Sequence, residues 1–345
     1  MLSKKIFRDV VLIVLIFVFL LELVGVFIGK NEYFWTNRQI MIPRMALRAI
    51  GGEGLWTYKP KITVDSSATY YFSNHNGWLE YRCQFETNKF GLIKTNYSDG
   101  KKVDLLVLGD SFLEGQGGCP WLTSDSLEKK NISKIVVNGG LQGASLQSMK
   151  LLNEWLEKQI EIKDLMIVAI SNDFKRELDP AWVKTNQQQM SDSYAAEVLD
   201  LKDGDLVRIG ADLYRSSNRS LKEKIHENLL YYSATYRLSR RLFKALINDQ
   251  KIDENYLKPF EKNFIALCEL RKKHPNLKII LVPQRDEVGL LGSKNADTKI
   301  VEKFLSDEGF NFSRCELDLS DYMKADGHPN KQGYAKIFQC FADRI

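Results

Sequence analysis

Two short segments hold the residues best able to do chemistry. The first, VDLLVLGDSF, places Ser111 directly after an apolar run over residues 103–108 that ends in Gly109 and Asp110. Such a run reads as a strand buried on both faces, so the hydroxyl stands at a strand's carboxyl end, where open α/β sheets form their ligand sites. The second segment, DGHPNKQGY, carries Asp326 and His328. A serine hydroxyl is a weak nucleophile at neutral pH. It becomes effective when an imidazole takes its proton and a carboxylate holds that imidazole in the right tautomer. Ser111, His328 and Asp326 supply the three groups, and Asp321 is the alternative acid.

Acyl transfer also needs donors for the oxygen on which negative charge develops, each worth roughly 2.7–4 kcal/mol when preorganised. Three fit: the backbone N–H of Ser111, the backbone N–H of Gly143 and the side-chain amide of Asn172. They follow the apolar runs in LLVLGDS, KIVVNGG and DLMIVAISND, and loops at the same end of neighbouring parallel strands converge in space. Taken singly these patterns are ordinarily structural. Gly-Asp-Ser is a common turn, and Asn-Asp commonly caps a helix. The glycine-rich 138–143 segment lacks the lysine of a phosphate loop and the spacing of a dinucleotide fingerprint. Their occurrence together, in order and each at a strand end, is what favours a site.

On these residues the chain resembles the GDSL/SGNH family of serine esterases and acyltransferases. Gly109-Asp110-Ser111-Phe112 is similar to the family's first block, and Asn138-Gly139-Gly140-Leu141-Gln142-Gly143 to its second. Ile170-Ser171-Asn172-Asp173 is similar to the third, with Ile170 where the family has glycine. In the last block Asp326 stands two residues before His328, one fewer than the family's usual spacing. The resemblance implies a flavodoxin-like, doubly wound parallel sheet, and oxyanion donors at Gly143 and Asn172. It also implies attack by Ser111 on acyl esters. Membrane-anchored relatives that edit cell-surface polysaccharides imply an O-acetyl ester of an extracytoplasmic carbohydrate as substrate. O-acyl transfer to such a polysaccharide, lipid ester cleavage, and a catalytically silent glycan-binding assembly subunit stay open as alternatives.

The elements that must position these residues follow from the hydrophobic pattern. From residue 103 strands alternate with helices: strands at 103–108, 134–138, 164–170, 277–283 and 311–317, helices at 145–160, 258–273, 296–308 and 331–342. That alternation predicts an α/β fold built on a parallel sheet. Residues 31–102 read as a β-rich lead-in, with short strands at ATYYFSN, WLEYRCQF and FGLIKTN. Residues 103–345 are the expected catalytic domain, interrupted at 174–257 by an insertion that is helical over 221–248, with Leu229, Leu230, Tyr232, Tyr236, Leu238, Leu242 and Leu246 as its apolar positions. Rooted beside Asn172, it is expected to act as a lid or cap.

Residues 1–30 form the expected cytoplasmic tail and signal anchor. Lys4, Lys5 and Arg8 precede an apolar stretch, 10–28, whose one charge is Glu22. As a helix this stretch would reach roughly 28 Å, close to a bilayer's hydrocarbon thickness. Basic residues before the span place the amino terminus in the cytoplasm and everything after residue 30 in the periplasm or outside. Glu22 marks a contact with a membrane partner, for which a membrane acyl donor is the candidate. Formal net charge is +5, with 49 basic against 44 acidic residues, which is no nucleic-acid footprint. Five scattered cysteines leave at least one unpaired and permit a bridge without naming it. His75, His226 and His274 read as turn or solvated-face residues. With no paired histidines and no Cys-x-x-Cys, neither metal nor cofactor is expected.

Overall fold

The computed structural model describes residues 4–28, 37–41, 46–51, 54–72, 75–97, 99–178, 201–216, 220–233, 235–236, 239, 254–288, 292–323 and 327–345. Its first helix, α1 (Lys4–Ile28), covers the apolar amino-terminal stretch. The lead-in follows as β1 (Asn37–Met41), β2 (Leu47–Ile50), β3 (Leu55–Tyr58), β4 (Thr63–Phe72) and β5 (His75–Glu86). These pair antiparallel as a three-stranded sheet, β1-β4-β5, and a separate β2-β3 hairpin. Then come β6 (Lys102–Gly109), α2 (Ser111–Glu114), α3 (Ser124–Lys129), β7 (Val136–Gly140), α4 (Leu146–Glu157) and β8 (Glu161–Ala169). After them lie α5 (Asp203–Ser216), α6 (Leu221–Tyr232), α7 (Glu254–Lys273), β9 (Lys278–Leu281), α8 (Ala296–Asp307), β10 (Asn311–Arg314) and α9 (Lys331–Ala342).

A five-stranded sheet in the order β10-β9-β8-β6-β7 carries the fold, and each of its pairings is parallel. β6 is the first of these strands in the chain, and the connections leave it towards both edges, so its carboxyl end is a topological switch point. Alternation along β6 explains its continuous apolar run. Leu106 and Leu108 enter one core with Leu152 and Leu156 of α4 and Leu267 of α7, while Leu105 and Val107 enter the other with Phe338 and Phe341 of α9. Full burial of each such side chain contributes roughly 1.5–3 kcal/mol. α4 starts where Ser145 accepts from Ser148 N–H, and α9 where Asn330 accepts from Gln332 and Gly333 N–H.

Three expectations differ from what is seen. FGLIKTN forms no strand: Asn88 Oδ1 accepts from the N–H of Phe90 and Leu92, Gly91 takes φ +78, and only Ile93 makes isolated bridges, to Thr87 and Asn138. The helix expected over 221–248 stops after Tyr232. Ser233 is extended there, and its hydroxyl accepts from Tyr236 N–H, which starts a new turn. Residues 240–248 of that expectation, with Leu242 and Leu246, and Leu238 before them, lie outside the described residues, as does much of the lid itself. The cysteines form two bridges, Cys83–Cys119 and Cys315–Cys340, and Cys268 is free. Pairings of this kind join residues of different elements, which spacing cannot reveal.

Within α1 side chains are described over residues 11–23, where residues such as Leu12, Ile13 and Phe17 are exposed. Among the described residues no helix is long and apolar enough to cross a membrane. Glu22 accepts from Ser233 Oγ and from Thr235 N–H at 3.3 Å, so its partners lie in the insertion of this same chain.

Candidate active site

β6 must end abruptly to present Ser111, and its neighbours make it do so. A Cβ at Gly109 would stand 2.5 Å from the carbonyl oxygen of Val168, a contact only glycine escapes. Asp110 then caps α2, its Oδ1 accepting from Phe112 N–H at 2.8 Å. The turn leaves Ser111 as the first helical residue, at the sheet's switch point.

His328 reaches the same place from the other end of the chain. Its Nε2 lies 2.8 Å from Ser111 Oγ, within hydrogen-bond reach for proton transfer. The imidazole packs on Phe112, ring centroids 5.0 Å apart. Backbone bonds shape its loop: Met323 N–H donates to His328 C=O at 2.8 Å, and Asn330 N–H to Asp321 C=O at 2.7 Å. Asp326, the expected acid, lies outside the described residues. The alternative acid is engaged elsewhere. Asp321 Oδ2 accepts from Asp318 N–H at 2.7 Å and from Lys336 Nζ at 2.6 Å, which fastens α9 to the turn before His328.

The expected oxyanion donors sit on three loops at the carboxyl ends of β6, β7 and β8. Gly143 has φ +75 and open space where a Cβ would project, a conformation that disfavours side chains but leaves its N–H approachable. Asn172 is half-buried in a short turn, Ser171–Phe174, directly after β8. Ile170, where the family has glycine, fits this turn in an extended conformation, its N–H donating to Asp173 Oδ2 at 3.0 Å. Among the described residues no hydrogen bond occupies the N–H of Ser111, the N–H of Gly143 or the Asn172 amide. Leu141 N–H donates to Gly109 C=O at 3.1 Å, joining the second loop to the first.

Residues outside the motifs complete the surroundings. Glu114, at the end of α2, is buried; it accepts from Tyr58 Oη at 2.8 Å, and the backbone N–H of Gln142 also acts on it. Burial pushes its carboxyl up to about 7; the two donors oppose that shift and the Asp110 charge adds to it. The Tyr58 hydroxyl is pushed well above its ordinary value, by burial first and by Glu114 second. No sequence signal beyond an acidic residue three after the serine could have found this pair, because Tyr58 comes from the lead-in. Arg176 is a second omission: it makes ion pairs with Asp110 and Asp173, both fully buried. The other described histidine side chains are engaged elsewhere, His226 with Tyr236 Oη at 2.7 Å and His274 with Glu157 Oε1 at 3.0 Å.

No protein-family model and no curated protein matches the chain. Among solved structures it is similar to a catalytic mutant of an acetylxylan esterase from Geobacillus stearothermophilus, at 14% identity and TM-score 0.33 over 72% of this chain and 96% of that one. It is also similar to a phospholipase A1 from Streptomyces albidoflavus, at 10% identity and TM-score 0.34 over 70% and 99% of the two chains. A GDSL-like lipase from Bacteroides thetaiotaomicron is similar at 10% identity and TM-score 0.32, over 72% and 90%.

Proposed function

We propose that this chain is a serine esterase or acyltransferase whose nucleophile is Ser111. The observation that carries the reading is the 2.8 Å contact between Ser111 Oγ and His328 Nε2 at the end of a buried parallel strand. Ser111 Oγ attacks the acyl carbonyl as His328 takes its proton, and the tetrahedral oxygen is held by the N–H of Ser111, the N–H of Gly143 and the amide of Asn172. His328 returns the proton to the leaving alcohol, which departs and leaves an acyl-serine. Water then releases the acid, giving hydrolysis, or a sugar hydroxyl takes the acyl group, giving transfer. Asp326 is the residue proposed to orient His328.

The finer reading is a membrane-anchored enzyme acting outside the cytoplasm on O-acetyl esters of carbohydrate. The carbohydrate preference is supported by the resemblance of the sequence blocks to those of polysaccharide-editing relatives. An extracytoplasmic address is supported by the two disulfides, which persist in oxidising compartments. The exposed apolar residues of α1 and the basic residues before position 10 support an anchor over 10–28 with its amino terminus inside.

Two experiments test this. A fluorophosphonate probe is expected to label the wild type and not Ser111→Ala, which should also lose ester cleavage by at least about 10⁴-fold while keeping its melting temperature. Equal labelling of both would remove Ser111 from the chemistry. For topology, alkaline phosphatase fused after Ile345 is expected to be active in a bacterial host, and activity only from a cytoplasmic reporter would reverse the orientation.

A further inference from the structure

Building on the acyl-transfer reading, we propose that Arg176 is a positioning residue that fastens the three oxyanion loops into one rigid unit. A single guanidinium nitrogen, Nη1, faces all three loops. It donates to Ala144 C=O at 2.9 Å, lies 3.0 Å from Asp173 Oδ1 and lies 3.6 Å from Asp110 Oδ2. Each of these oxygens belongs to a chain neighbour of a proposed donor: Ala144 follows Gly143, Asp173 follows Asn172, and Asp110 precedes Ser111. Any shift of one donor relative to the others must therefore stretch a contact to the same nitrogen.

The clamp is itself rooted. Arg176 N–H donates to Asn172 C=O at 3.0 Å, and Arg176 C=O accepts from Asn263 Nδ2 at 3.0 Å. Asn263 is fully buried on α7, and its Oδ1 accepts from Gln147 N–H at 3.2 Å in the first turn of α4. Both carboxylates also act locally, Asp110 on Phe112 N–H at 2.8 Å and Asp173 on Ile170 N–H at 3.0 Å. They thus transmit the position of the guanidinium to the backbone beside each donor. Asp173 is held well above the ordinary carboxylate range by burial and then by Asp110, and Arg176 pulls it back down. A buried pair of acids facing each other needs that cation to stay close.

A plain fold-stabilising ion pair would lower melting temperature and leave the turnover of the folded protein alone. A positioning residue changes kcat. In the purified full chain with 4-nitrophenyl acetate, Arg176→Met is expected to lower kcat by about 10²-fold with KM within about threefold, because misplaced donors fail chiefly in the transition state. Arg176→Lys should restore about tenfold, since an ammonium replaces the charge without the planar fork. If Arg176→Met does not fold, the double variant Asp173→Asn/Arg176→Met removes one of the buried carboxyls left without the cation, and the same kcat loss is expected from it. Wild-type kcat in whichever variant folds, with only a lowered melting temperature, would overturn the clamp. Ser111→Ala separates the two readings. Turnover that survives in Ser111→Ala overturns the acyl-transfer reading and the clamp with it, whereas turnover lost there and kept in Arg176→Met overturns the clamp alone.

Discussion

Around Ser111 the chain buries Asp110 and Asp173 against a half-buried Arg176, and Glu114 against Tyr58, whereas the bonds described around His328 are mostly made by backbone groups. Among the described residues these include Met323 N–H to His328 C=O, Asn330 N–H to Asp321 C=O, and a partly exposed Lys336 on Asp321. Burying charge is costly, several kcal/mol per ion even after relaxation, so a fold tolerates it where something is gained. In the proposed mechanism the gain on the serine side is fixed donors aimed at a developing charge, which work only if they need not reorganise. A histidine has a different task. In the proposed mechanism it carries a proton from Ser111 Oγ to a leaving group.

The acid behind the histidine gives the largest effect by which this contrast can be broken. If Asp326 orients His328, Asp326→Asn keeps the shape but offers the wrong hydrogen-bond partner, and kcat/KM should fall by up to about 10⁴-fold. Asp321→Asn should leave turnover within about threefold while weakening the tie to Lys336, an exposed partner worth about 1 kcal/mol at most. Steady-state kinetics and urea midpoints of the two variants decide. A collapse of activity in Asp321→Asn with none in Asp326→Asn would mean that the turn clasped by Lys336 is the orienting group, and that the histidine side is as tightly built as the serine side.

What was legible in the sequence follows the same division. The strand LLVLGDS could be read because both of its faces are buried, and α9 because its apolar spacing is local. Ser111 and His328 were legible as motifs, and the fold brings them within 2.8 Å. Arg176, Glu114 and Tyr58 were not. Their meaning arises from contacts between loops, and a charged residue looks the same in sequence whether it is solvated or sealed under a sheet. The lost strand at FGLIKTN and the helix cut at Ser233 share one cause. A side chain, Asn88 in one case and Ser233 in the other, captures backbone N–H groups that propensity assigns to regular structure.

A smaller effect, and a sharper one, concerns Glu114. Its Oε1 accepts from Tyr58, and its Oε2 has no hydrogen-bond partner among the described residues. An ionised oxygen so placed would be expensive, which agrees with a carboxyl pushed by burial from 4.5 up to about 7. The sign follows from proton counting. Between about pH 4.5 and 7 the unfolded chain has lost this proton and the folded chain keeps it, so the folded state binds one more proton and stability falls as pH rises. The stabilisation is complete below about pH 4.5 and gone above about 7, a change of about 3 kcal/mol at 1.36 kcal/mol per unit. Asp173 contributes in the same direction, so the measurement must be a difference. Glu114→Gln preserves shape and the acceptor for Tyr58 but cannot titrate. Urea unfolding at pH 5 and pH 8 should therefore show a smaller loss of stability in Glu114→Gln than in the wild type, by about 2.5 kcal/mol. Identical losses in both would mean that Glu114 is already ionised in the folded protein, and that the serine side tolerates a buried anion with an unpartnered oxygen beside its oxyanion loop.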